Sequence, residues 1–164
     1  MELLKLATEW AKSEVFSTRF FILFAILFLI ASSGFWQLGK TDLAKAYVLP
    51  TLVAGLLLMT IGLGLFYTNK SRITQFKKAH QTNENSFYKS EIERTESTLK
   101  EYAVVFKVIP ILICLAAITL LFTGAPIWRA ICITTIAMLT IILLVDGTAY
   151  ARIETYHKEL KVLK

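Results

Sequence analysis

Asp146 is the one acidic residue close to membrane depth in an otherwise apolar sequence, at the end of the uncharged run from Ala130 to Val145. On a helical wheel Cys132, Thr135, Asp146 and Tyr150 fall within roughly a 60° sector, a thin polar seam along one face. Burying an ionised carboxylate at the centre of a bilayer costs about 2.5–3.5 kcal/mol on insertion scales, so an acid kept there calls for a reason. One reason is a proton or cation contact made by Asp146 and Thr135 inside a helix interface. The plainer reading, favoured here, is that Asp146 lies one turn from the aqueous surface. Lys107 or Arg152 then neutralises it.

The remaining reactive residue types are poorly placed for catalysis. His80 and His157, the only histidines, fall in polar segments and are expected at the surface, with no His/Cys/Glu cluster at metal spacing and no paired membrane histidines for haem. Cys114 and Cys132 sit at different depths in two apolar runs without a C-x-x-C, which suits small buried hydrophobes rather than a disulfide. Ser32 and Ser33 have no His or Lys at equal depth to activate them. Gly62-x-Gly64 is embedded in apolar sequence, with no phosphate role. The expectation is a protein that is not an enzyme and carries no cofactor.

The elements that position these residues are set by charge distribution. Phe20–Gly39, Ala46–Asn69 and Val108–Trp128 contain no charge, although the chain is 18% charged. A hydrocarbon layer of about 30 Å needs about 20 residues of helix at 1.5 Å each, so the three runs each reach across it. The fourth, Ala130–Val145, is shorter and recruits residues at both ends. Helices apolar all round are not those of a small soluble bundle. The predicted fold is therefore an all-α integral membrane protein, a single domain of four transmembrane helices in two hairpins, over about 15–36, 46–68, 107–123 and 127–148. An interfacial helix at 2–13, a helical cytosolic hairpin at 69–106 and a tail at 149–164 complete it. Phe20–Ala31 with Ala31-Ser32-Ser33 could mimic a signal peptide, but Glu9, Trp10 and Glu14 in the leader argue that the first helix is retained.

Orientation follows from Lys and Arg. With both termini in the cytoplasm, 15 of the 18 basic residues fall inside, leaving Lys40, Lys45 and Arg129 outside. The net charge of +6 is then a topology signature of a multi-pass protein, expected in a bacterial inner membrane, and no nucleic acid need be invoked. Trp10, Trp36 and Trp128 are the expected interfacial anchors. Thr51, Gly55 and Gly62 share one face of the second helix, and Thr60 and Gly64 the opposite face. Small residues let membrane helices approach closely, so this helix is expected to pack on both sides, within the chain or against another copy. Gln81–Ser86 breaks the helical pattern, the next helix is expected from Ser86 or Phe87, and Glu96 and Lys100 have i,i+4 spacing. Pro110 predicts a kink near Phe106–Pro110, and Thr123–Pro126 a tight turn.

The chain also carries a weak internal repeat. Ser71–Lys78 and Ala151–Lys158 share x-R-I-x-x-aromatic-x-K at an offset of 80, and Val15-Phe16 matches Val105-Phe106 at an offset of 90. Either the two hairpins are duplicates about an axis normal to the membrane, or any helix leaving a membrane inward carries such residues. The function expected from these features is a membrane scaffold or accessory subunit whose 69–107 hairpin docks a partner protein or a second copy. The alternative is a homo-oligomeric channel or small transporter using the seam on the fourth helix.

Overall fold

A computed structural model describes residues 1–163, and Lys164, the last of the basic tail residues counted above, lies outside them. Four long helices account for nearly all of it: α1 (Glu2–Leu38), α3 (Val48–Thr82), α4 (Glu84–Phe122) and α5 (Pro126–Val162), with a short α2 (Asp42–Ala46) between the first two. All four long helices are long and apolar enough to cross a membrane. At 1.5 Å per residue each is about 55 Å long, well beyond a hydrocarbon layer of about 30 Å. The excess is the polar end of the bundle, where the termini and the α3–α4 turn meet.

The joints are short because residues at them satisfy the freed backbone groups. The Thr41 hydroxyl accepts from the Ala44 N–H at 3.1 Å and starts α2, inside a segment whose sequence reads as loop. Asn83 alone separates α3 from α4. Its extended backbone ends one helix, and its side-chain oxygen accepts from the Ser86 N–H at 3.0 Å to start the next. That cap moves the start of α4 to Glu84, ahead of the expected Ser86 or Phe87. Pro126 opens α5, where its missing N–H is harmless, while α4 continues through Pro110.

Helix α1 packs most extensively on α3 and α4 on α5, α1 and α5 join the two pairs, and α3 and α4 touch sparingly. Toward the apolar end the core is Phe21, Ala25, Leu58 and Val145. At the polar end it is larger, with Leu3, Ala7, Trp10, Phe76, Phe87, Ile153, Tyr156 and Leu160. One expectation changes here. Residues 2–13 are not a separate interfacial helix but the first turns of α1, and their apolar face is buried against α3, α4 and α5. An amphipathic face suits a bilayer and a bundle equally, so its residues alone do not choose between them. The 69–106 hairpin is drawn into the bundle as well, with Phe76, Phe87 and Thr95 buried against the chain's two ends. By contrast no residue of α4 beyond Thr95 is buried, and Val108, Ile111, Leu115, Leu121 and Phe122 are all exposed.

Candidate functional site

Where the apolar and polar halves of the bundle meet, a layer of charged side chains from all four long helices surrounds a cavity of about 340 Å³. Two ion pairs build its frame. Glu14 of α1 accepts from Nε of Arg152 of α5 at 2.9 Å, a contact spanning nearly the whole chain. Arg94 of α4 donates two hydrogen bonds, at 2.9 and 2.7 Å, to Glu91 one turn earlier. Glu91 is only 3% exposed and also accepts from the Tyr156 hydroxyl at 2.7 Å. The Arg94 guanidinium lies 4.2 Å from the centre of the Trp10 ring, which stacks on Tyr156.

Arg72 of α3 is held differently. Its Nη1 donates to Oδ1 of the buried Asn69 at 2.8 Å, and its guanidinium lies 5.8 Å from the Trp10 ring, but no carboxylate pairs with it among the described residues. Burial, then repulsion from Arg94, pushes its pKa down from the ordinary arginine value. Burial likewise pushes the Glu14 carboxyl up, with the Arg152 hydrogen bond opposing it. The Tyr102 hydroxyl is pushed up by burial and by the negative charges of Asp146 and Glu14. Trp10 Nε1, Arg94 Nη1 and Arg152 Nη2 are buried without a hydrogen-bond partner among the described residues. The cavity floor is apolar, formed by Phe21, Ile61, Leu65, Val105, Ile142 and Val145. A polar rim over an apolar floor suits the binding of an amphiphilic molecule.

The seam expected along the fourth helix is not one path. Asp146 lies on the wall of this cavity without an ion pair or hydrogen bond among the described residues. Neither Lys107 nor Arg152, the two bases expected to neutralise it, pairs with it; Arg152, six residues or about 9 Å further along α5, pairs with Glu14 of α1 instead. Thr135 lines a separate, mostly apolar cavity beside Leu49, Pro50 and Val53, and Cys132 is buried. Tyr150 packs edge-on against Tyr102 and Phe106.

The other sequence candidates are distributed as follows. Thr51, Gly55 and Gly62 lie in the α1–α3 interface, where a Cβ on Gly55 would meet Leu29 at 2.9 Å and one on Gly62 would meet Ile22 at 2.9 Å. The opposite face of α3 is open, since Thr60 is exposed and nothing lies within 4 Å of a Cβ on Gly64. The helix therefore packs closely on one side within the chain. Trp36 and Trp128 are exposed at the far end of the bundle. Trp10, expected at a lipid interface, is 7% exposed inside the polar end. His157, expected at the surface, is also buried, with Nδ1 2.6 Å from the Thr95 hydroxyl. Glu96 approaches His157 and Lys161 rather than Lys100.

Of the layer residues, Asn69, Glu91, Arg94 and Tyr102 carry no signal by type, and Arg152 was expected only beside Asp146. The repeat did point to some of them: Arg72 and Arg152 enter the layer, Ile73 and Ile153 and Phe76 and Tyr156 face the core, and Lys78 and Lys158 point outward. No family model matches the chain, and neither a curated protein nor a solved structure matches it.

Proposed function

We propose that the chain is a non-enzymatic, multi-pass protein of a bacterial inner membrane, acting as a scaffold or accessory subunit. Both termini and the polar end of the bundle face the cytoplasm in this reading. The orientation is supported by the basic residues, 15 of 18 of which lie on the polar side of the apolar runs. The single observation that carries the scaffold reading is the fusion of the two halves. Each long helix runs from the apolar into the polar end without a break, and the polar end has its own buried core. A partner gripping the cytoplasmic bundle would thereby be held rigidly against the bilayer. The outer faces of α3 and α4, with exposed Lys77, Lys78, Lys89, Glu93 and Lys100, are the surface offered to that partner or to a second copy.

The test has two parts. Single cysteines placed at Asn83 and at Gly124, in a chain lacking Cys114 and Cys132, are probed with a membrane-impermeant thiol reagent on intact spheroplasts. Labelling at position 124 alone is expected, and labelling at position 83 would overturn the orientation. The mass of the complex extracted from its native membrane is then measured by light scattering with detergent correction. An assembly of fixed stoichiometry is expected, inert in liposome ion-flux assays. A lone monomer would overturn the scaffold reading, and flux abolished by Asp146→Asn would replace it with a channel or transporter.

A further inference from the structure

The two arginines matched by the internal repeat have unequal surroundings. Arg152 has Glu14 as its partner, whereas the position that corresponds to Glu14 at the offset of 90 is Val104. Arg72 therefore stands on the cavity wall with one hydrogen bond, to Asn69, and its other N–H groups make none among the described residues. A half-buried guanidinium with unused N–H groups presents a planar fork of donors that fits two oxygens of a carboxylate or phosphate.

We propose that this cavity seats an anionic phospholipid of the inner leaflet, with its phosphodiester on Arg72 and its acyl carbons along Leu65, Val105 and Val145. The inference rests on the orientation proposed above. The cavity offers about 340 Å³, polar at the Arg72 end and apolar at the other. Sparse contact between α3 and α4 leaves the wall between them the least closed, and Ile61, Leu65 and Val105 flank it with apolar surface through which a chain can pass to the bilayer. Asp146 fixes the direction. Its unpaired carboxylate stands about 9 Å closer to the apolar end than Arg152, so it repels an anion from the deep half. Of the other acids on the wall, Glu14 is neutralised by Arg152 and Glu101 is exposed to solvent. A free phosphate shares the oxyanion but leaves the apolar floor uncovered.

The full chain in detergent, with Trp36→Phe and Trp128→Phe so that Trp10 alone fluoresces, is titrated with three probes. They are dihexanoyl phosphatidylglycerol, dihexanoyl glycerol, which lacks the phosphate, and inorganic phosphate, which lacks the chains. Phosphatidylglycerol is expected to bind at least about tenfold more tightly than either of the others. Arg72→Gln is expected to weaken it by at least about tenfold, as loss of a charge-assisted contact does, while Lys78→Gln on the exposed face leaves it unchanged. Should Arg72→Gln fail to fold, Val105→Phe narrows the apolar floor and should weaken phosphatidylglycerol without touching inorganic phosphate. Equal binding by Arg72→Gln and the parent, or by Val105→Phe and the parent, overturns the proposal. Inorganic phosphate binding as tightly as the lipid also overturns it and assigns the site to a free oxyanion. Because the titration is done in detergent, a reversed orientation would show in the thiol labelling and not here.

Discussion

The indole of Trp10 stacks on the phenol of Tyr156 with ring centres 5.3 Å apart and planes within 12° of parallel. These two residues sit near opposite ends of the chain, and the Arg94 guanidinium covers the Trp10 ring at 4.2 Å. The contact ties α1 to α5 and both to α4, so the polar end closes around an aromatic pair that gains about 0.5–1.5 kcal/mol beyond its buried area.

Trp10→Ala should therefore behave as a core truncation. It is expected to cost about 3–5 kcal/mol of stability, read as a lower midpoint of unfolding in detergent. A tryptophan lying in the lipid interface would instead leave that midpoint nearly unchanged and alter only partitioning into vesicles.

Glu14 and Arg152 should be coupled. Arg152 keeps 28% of its side chain exposed, so solvent screens the pair and the coupling should be about 2 kcal/mol, below the 3–5 kcal/mol lost on breaking a fully buried pair. A double-mutant cycle with Glu14→Gln and Arg152→Gln measures it. Additive effects of the two substitutions would mean that they do not interact.

The apolar runs were readable from the sequence because charge is excluded from them, a one-dimensional property that length and composition reveal. The polar layer was not, because local pairs such as Arg94 with Glu91 and Arg72 with Asn69 are brought into one layer only through contacts between residues far apart in sequence. Glu14 finds Arg152 across nearly the whole chain, and Thr95 finds His157 across 62 residues. The wheel that grouped Asp146 with Thr135 compared angle and ignored depth, yet the two stand eleven residues, about 16 Å, apart on the helix. Trp10 misled for a different reason. A helical face of Leu3, Ala7 and Trp10 signals burial without saying in what, and here the cover is protein.

His157 should make stability depend on pH. Burial, then the charge of Lys161, lowers its pKa below 6.5, against the opposing charge of Glu96, while Thr95 contributes a neutral hydroxyl at 2.6 Å. A histidine with a lowered folded pKa binds fewer protons folded than unfolded. Stability is then fully present above pH 6.5 and falls as pH drops from there through the folded value. Melting should shift downward by a few degrees between pH 7.5 and 5.5 in the parent, and by less in His157→Gln. Equal shifts in the two proteins would place the titrating group elsewhere.

Gly62 and Gly64, two residues apart on α3, should respond oppositely to the same change. A Cβ at Gly62 would lie 2.9 Å from Ile22 Cγ1, 3.0 Å from Phe21 Cβ and 3.1 Å from the Ile22 nitrogen. The last two atoms belong to the backbone or its first side-chain carbon and cannot swing aside, so α1 and α3 must separate. Overpacking of that kind costs about 1–3 kcal/mol, and separation at Gly62 would also loosen Phe21 in the cavity floor. Gly64 meets nothing within 4 Å, so Gly64→Ala adds a methyl to open surface and replaces a poor helix former with the best one. Gly62→Ala should lower the unfolding midpoint, and Gly64→Ala should leave it unchanged or raise it. If another copy covered the Gly64 face in the membrane, Gly64→Ala would weaken the assembly while sparing the isolated chain. Light scattering on the same variant separates these outcomes.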